Sequence, residues 1–153
     1  MAAKQEPGLY RTETYRVEDS VGYLITRLRA SIFAAVDREL ASWGISAAQG
    51  SILNYIAHGR GDRAADIARD YDYDTGSMTR MVGRLVRKGL LSRVRDDSDR
   101  RVVRLRLTPA GGKVAGRLPR VAVKVLNAHL RGFSNAEFRQ LKALLQRMLA
   151  NAG

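Results

Sequence analysis

The fold is decided by residues 74–109, which read DTGSMTRMVGRLVRKGLLSRVRDDSDRRVVRLRLTP. The first part has apolar residues at steps of three and four, which predicts a helix over residues 75–88 with Asp74 as its N-cap and Gly89 just past its end. The period changes to two in residues 91–95 and 102–107, on either side of a turn sequence at 96–99. That pattern predicts a β-hairpin whose tip is acidic and rich in arginine.

A second helix is predicted immediately before this stretch, over residues 63–71. Two helices joined by a tight turn and followed by a hairpin are typical of a winged helix-turn-helix, whose second helix enters the major groove of DNA. The alternative is an ordinary surface helix with scattered arginines. The outward positions of the helix favour DNA binding, because they combine small or hydroxyl side chains with two arginines one turn apart. These positions are Thr75, Gly76, Ser77, Thr79, Arg80 and Arg84.

Amphipathic helices are predicted on both sides of this lobe. They span about residues 18–43, 47–57, 109–131 and 135–150. Capping boxes at 46–49 and 134–137 begin two of them, and Thr108 followed by Pro109 begins a third. Because a small winged core cannot bury three long apolar stripes, the sequence predicts a homodimer.

The predicted fold class is therefore mainly α with a small β-hairpin wing. We divide the chain into an N-terminal arm at 1–17 and a single regulator domain at 18–153. Within that domain, a DNA-binding lobe at about 46–108 lies between dimerisation helices at 18–45 and 109–150.

The composition points to a polyanionic partner. The chain has 153 residues, with 27 basic and 15 acidic side chains and a formal net charge of +12. Residues 80–107 alone carry ten basic and three acidic side chains, which favours contact with nucleic acid, although a solvated basic face is the simpler alternative. The 0 cysteines exclude a disulfide scaffold, a cysteine zinc site and thiol sensing. No apolar run has the length of a membrane span and the N-terminus lacks a signal-peptide pattern, so we expect a cytoplasmic protein.

At this point the sequence resembles the multiple-antibiotic-resistance regulator (MarR) family over roughly residues 18–150. Residues 74–91 are similar to the family's recognition helix with its Leu-x-x-Lys-Gly-Leu ending. Asp99-Arg100-Arg101 resembles the family's Asp-x-Arg wing tip, and residues 107–111 resemble its Leu-Thr-x-x-Gly exit. Two positions depart from the pattern. Asp72 stands in the turn where the family usually has glycine, and Gly83 lies inside the recognition helix, where it costs about 1 kcal/mol relative to alanine.

The resemblance implies a homodimeric repressor that binds a pseudo-palindromic operator in double-stranded DNA. It also implies that Arg101 enters the minor groove with Asp99 as its buttress, while Arg100 meets phosphate. A small organic effector, often an aromatic acid, would bind between the dimer helices and the DNA-binding lobe. The side chains that the sequence offers for that effector are Arg27, Arg29, Trp43 and His58.

Two other classes of function compete with a specific regulator. An enzyme lacks its usual parts here, since the chain has 2 histidines and no phosphate loop or metal-spaced cluster. We therefore expect no catalytic residues, no metal site and no cofactor. A nonspecific architectural DNA- or RNA-binding protein would use the same basic field, and competition with unrelated DNA separates it from a specific regulator.

Overall fold

The structure is a computed structural model that describes residues 8–152. Residues 1–7 of the predicted N-terminal arm lie outside the described part of the chain. The described residues form seven α-helices and one antiparallel two-stranded sheet. The elements are α1 Val21–Leu40, α2 Ala47–Ala57, α3 Ala64–Tyr71, α4 Thr75–Arg87, β1 Leu91–Arg95, β2 Val103–Leu107, α5 Pro109–Ala115, α6 Leu118–His129 and α7 Asn135–Ala150. This mainly helical fold with a hairpin wing confirms the predicted fold class.

The helices begin and end at the local signals in the sequence. Both capping boxes form: Ser46 Oγ accepts the Gln49 amide at 3.2 Å, and the second box at residues 134–137 has the same pattern. The Thr108 hydroxyl caps α5 by accepting the Gly111 amide at 3.0 Å. Asp72 ends α3 in the left-handed region with φ 54°. Aspartate tolerates this conformation, so the tight turn before α4 survives the departure from glycine.

The core lies inside the winged lobe and under the end of α1. Side chains at most 2% exposed come from α1, α2, α3, α4 and both strands: Leu40, Ile52, Leu53, Tyr55, Ile67, Met78, Val82, Leu85, Leu91 and Leu105. The hairpin pairs Leu91 with Leu107 and Arg95 with Val103. That register places its buried leucines on one face, toward α4 and α2, so the wing is fixed at its base.

The long helix predicted over residues 109–131 is wrong as a single element. It is broken into α5 and α6 at Gly116 and Arg117. The cause is Pro119, which has no amide hydrogen and whose ring would collide with the carbonyl of Ala115 in a continuous helix. At the second position of α6 the same proline is tolerated, because the first amides of a helix have no intrahelical partner.

Close approach of two backbones fixes the start of α5 to the wing. A Cβ on Gly111 would lie 2.0 Å from the Leu90 carbonyl oxygen, which no side chain can tolerate without a backbone shift. The Thr108 amide donates to that same oxygen at 3.1 Å, and the Thr108 hydroxyl donates to the Gly89 carbonyl at 2.6 Å. Glycine at 111 therefore lets the start of α5 lie directly against the base of the wing.

Apolar surface remains exposed at both ends of the chain. None of the residues of α7 is buried, although this helix carries an apolar stripe. The N-terminal half of α1 is exposed too, through Tyr23, Leu24, Ile25 and Leu28. Among residues 8–152, no helix is both long and apolar enough to cross a membrane.

Candidate nucleic-acid interface and ligand cavity

Helix α4 presents the predicted recognition residues on its outer face. Its inner face is anchored in the core through Met78, Val82 and Leu85. Asp74 caps the helix by accepting the Ser77 amide at 2.8 Å, and these hydrogen bonds from Ser77 hold the pKa of its carboxyl below the usual value. The outer side chains are exposed except for the half-buried Ser77: Thr75, Gly76, Ser77, Thr79, Arg80 and Arg84.

The Arg80 side chain folds back across the start of α4. Its Nη2 donates to Ser77 Oγ at 3.1 Å. A Cβ on Gly76 would lie 3.3 Å from Arg80 Nη1, so glycine at that position leaves room for the guanidinium. Arg80 is therefore held at the N-terminal end of the helix, the part that contacts base edges in helix-turn-helix complexes.

The wing tip brings Asp99 and Arg101 into direct contact. Asp99 Oδ1 accepts the Arg101 amide at 3.0 Å and its Nε at 3.2 Å. These bonds hold the pKa of the Asp99 carboxyl below its usual value, so the pair stays ionised near neutral pH. The Arg101 side chain is nevertheless 91% exposed. A carboxylate thus orients the guanidinium while leaving it open to solvent, and the neighbouring Arg100 is also exposed.

A second set of ion pairs, which sequence reasoning missed, ties the wing to the loop before α3. Arg104 Nη1 donates to both carboxylate oxygens of Asp62, at 3.0 and 3.1 Å, and its Nε donates to Asp96. The Leu105 amide also donates to the Asp62 carbonyl at 2.6 Å. Hydrogen bonds from Ser98 and Arg104 hold the pKa of Asp96 far below its usual value, so the Asp96–Arg104 pair within the wing persists well into the acid range.

The Asp62–Arg104 pair had no local signal. Asp62 follows Gly61 and Asp96 begins the turn sequence at 96–99, so each aspartate is of the kind expected in an ordinary turn. The partners are 42 positions apart. In a single sequence, nothing links an arginine on a strand to a carboxylate at that separation.

A cavity of about 400 Å³ lies between α1, α2 and α6. Its walls are mostly apolar. Polar groups come from Ser51 and Asn54 on α2, from His58 just past the end of α2, and from Tyr71. His58 also hydrogen-bonds through Nδ1 to the Asn54 carbonyl oxygen at 2.8 Å. Ser51, Asn54 and His58 are spaced by three and four, and that shared face was a signal the sequence offered.

Of the four predicted effector residues, only His58 lines the cavity. Arg29 does not line the cavity but stacks over the ring of Phe33, which does, with its guanidinium carbon 4.7 Å from the ring centre. Trp43 packs against the hydrophobic core. Arg27 is exposed on α1, one helical turn before the cavity begins at Ile32.

Comparison with known proteins gives one consistent family. The family model described as MarR family matches residues 43–102, which contain α2, α3, α4 and most of the wing. The HTH-type transcriptional regulator BilQ of Clostridioides difficile (strain CD3) is 24% identical over 123 residues, which cover 80% of this chain and 83% of the relative.

Solved structures agree with the sequence matches. The S. aureus MepR–DNA complex has a TM-score of 0.75 at 25% identity and covers 89% of this chain and 99% of that one. A mutant MarR from E. coli complexed with operator DNA has a TM-score of 0.76 at 25% identity, covering 84% and 93%. The matched sequence, the winged lobe and the helices around it are thus all similar to those of MarR-family transcriptional regulators.

Proposed function

We propose that this chain is a transcriptional regulator of the MarR family. It acts as a sequence-specific homodimeric repressor, which binds a pseudo-palindromic operator and is released from it by a small organic ligand. The carrying observation is the outer face of α4, where Arg80 is fixed beside a glycine at the end that meets base edges. The matched MepR and MarR structures are complexes with DNA, which supports the same partner for this chain.

Each DNA-binding residue has a proposed role. Arg80 and Arg84 read base edges in the major groove, and the small or hydroxyl side chains at 75–79 allow close approach. Arg101, oriented by Asp99, enters the adjacent minor groove, whose negative potential attracts arginine. Arg100 contacts phosphate.

The proposed dimer is built by residues 18–45 and 109–150, with residues 46–108 as the DNA-binding lobe. Support comes from α7, a helix of 16 residues that buries none of its side chains. An isolated helix of that length is marginal in water, so a partner surface must stabilise it. A two-fold partner gives two lobes and therefore two inverted half-sites about 10 bp apart.

Selection from a pool of random duplexes tests the specific function. A dimeric regulator is expected to enrich one inverted repeat and to bind it about 10³-fold or more tightly than unrelated DNA. Affinity should also fall by about 10³–10⁵-fold between 50 and 200 mM salt if 6–10 phosphates are neutralised. Equal affinity for operator, unrelated duplex and RNA would instead identify a nonspecific architectural protein.

The proposed effector site is the cavity between α1, α2 and α6. Its apolar walls suit an aromatic ring, and His58 is the group that would meet a carboxylate. The chain has 0 cysteines, so a bound molecule rather than thiol oxidation is the proposed signal. Effector and operator need a coupling of about 1–3 kcal/mol, which lowers DNA affinity about 5–150-fold.

A DNA-release assay with phenolic acids and peroxide tests the effector proposal. We expect release by an aromatic acid and a weaker response in His58→Ala, with DNA affinity unchanged in the absence of acid. Release by peroxide at concentrations too low to oxidise methionine would refute it.

The proposal includes no catalytic activity, metal or cofactor. It places the protein in the cytoplasm, because the relatives named above come from bacteria, whose DNA lies in that compartment.

A further inference from the structure

Two arginines lie beside Gly83, a second glycine on the outer face of α4. Gly83 lies on the same helical face as Arg80 and Arg87, since these positions are three, four and seven residues apart. A Cβ on Gly83 would lie 3.7 Å from Arg87 Nη1 and 4.0 Å from Arg93 Nη2. Two guanidinium groups from different elements, α4 and β1, therefore meet beside one residue that has no side chain.

Neither guanidinium has an ionic partner in the described part of the chain. The ion pairs of residues 8–152 involve other basic side chains, at Arg60, Arg69, Arg101, Arg104 and Lys124. Arg87 and Arg93 are both exposed. Two cations that both lie within 4.0 Å of the same Cβ position repel each other, and an anion bound between them would relieve that repulsion. The pair is also accessible from the face of α4 that we propose for DNA.

We propose that Arg87 and Arg93 together bind one phosphate of the DNA backbone where α4 meets the wing, in the space that the lack of a long side chain at Gly83 leaves beside the two guanidinium groups. Guanidinium groups match phosphate oxygens in bidentate geometry, and two of them share the charge of one phosphate. The inference rests on the proposed function and adds a contact that fixes the position of the recognition helix without reading sequence.

The place of the pair on α4 favours a backbone contact over a base contact. Arg87 is the last residue of the helix, while base edges are contacted by the first turns. Arg93 extends from the wing strand, and wings lie along the backbone. The two arginines therefore lie where the edge of the groove passes from helix to wing.

The salt dependence of DNA binding tests the phosphate contact. Each phosphate neutralised contributes about 0.9 to the slope of log affinity against log salt, so Arg87→Ala with Arg93→Ala should reduce the slope of a dimer by about 1.8. The probes are the selected operator and an arbitrary duplex of the same length. We expect an equal loss of affinity for both, because a phosphate contact carries no sequence information.

A matched control removes the same charge elsewhere. Arg139→Ala with Arg147→Ala removes two cations per subunit from the exposed side of α7 that lies opposite its apolar stripe. This variant should keep a salt slope close to that of the unmodified protein. An unchanged slope in the Arg87 and Arg93 variant, or a slope equally reduced in the α7 control, would overturn the inference. So would a changed preference at one base pair, which would make these arginines base readers.

Substitutions at Gly83 probe the space beside the two guanidinium groups. Gly83→Glu places a carboxylate between the two guanidinium groups and should lower the slope as the double variant does, whereas Gly83→Ala should leave it unchanged. Gly83→Gln fills the same space without charge, and we expect an intermediate loss. A wild-type slope in Gly83→Glu would contradict the inference. A different result would contradict the proposed function itself, namely no preference of the unmodified protein for the selected operator over unrelated DNA.

Discussion

Introducing a charge into the apolar stripe of α7 should separate the subunits. Leu145 lies within that stripe, next along the helix face to Phe138, Leu141 and Met148. In the single chain the leucine is 37% exposed. This exposed fraction is what a partner subunit would bury, so Leu145→Glu tests the dimer at its proposed centre.

The size of the effect follows from that exposure. Complete burial of a leucine contributes about 1.5–3 kcal/mol, so covering the exposed third contributes about 0.5–1 kcal/mol per copy. Two-fold symmetry doubles the loss, and Leu145→Ala should weaken the dimer about 5–30-fold, since about 1.4 kcal/mol is tenfold. Glutamate adds the cost of burying two unpaired carboxylates, several kcal/mol more, which predicts a monomer at micromolar concentration.

Light scattering gives the result directly, because the subunit mass is 17.0 kDa. Ala143→Glu is the control. It adds the same carboxylate on the opposite side of α7 and should leave the dimer intact, with circular dichroism confirming that both variants fold. A dimer that persists in Leu145→Glu, or that dissociates equally in Ala143→Glu, would refute the proposed use of this stripe.

Two further predictions concern the wing and its attachment. Gly111→Ala should destabilise the fold by about 1–3 kcal/mol, because its methyl group would collide with a backbone carbonyl; Gly112→Ala, with no atom within 4 Å of its Cβ, should not, and thermal unfolding compares them. In DNA titrations Arg101→Ala should weaken operator binding more than Arg100→Ala. Asp99→Ala should weaken it too, and tighter binding by that variant at every salt concentration would show that net charge outweighs the orientation of the arginine.

The local parts of the fold were accessible from sequence because their causes are local. The caps at Ser46 and Asp74 are side-chain bonds to amides three residues away, and the turn at Asp72 depends on the tolerance of one residue for positive φ. The hairpin followed from a change of period. The break before α6 does not show in the periodicity, because apolar residues continue at helical spacing through Pro119. It follows instead from the amide hydrogen that Pro119 lacks.

Contacts between distant segments account for what sequence could not provide. Arg104 reaches Asp62 across 42 positions, and Arg93 of the wing meets Arg87 over Gly83 only once the hairpin has packed on α4. The effector prediction relied on arginines that flank the stripe of α1. Periodicity does not show which turns of α1 face the cavity. The cavity begins at Ile32, so Arg27 lies outside it.

The central claim is that a symmetric dimer recognises a specific sequence. The most direct test compares the affinity for a duplex with both selected half-sites and for the same duplex with one half-site scrambled. The account predicts two subunits per intact duplex and a loss of about 10²-fold or more when one half-site is scrambled, because each mismatched base pair costs about 1–3 kcal/mol. It also predicts that Arg80→Ala reduces the ratio of the affinities for the intact and the scrambled duplex. Equal affinity for the two duplexes would contradict sequence-specific recognition by a symmetric dimer.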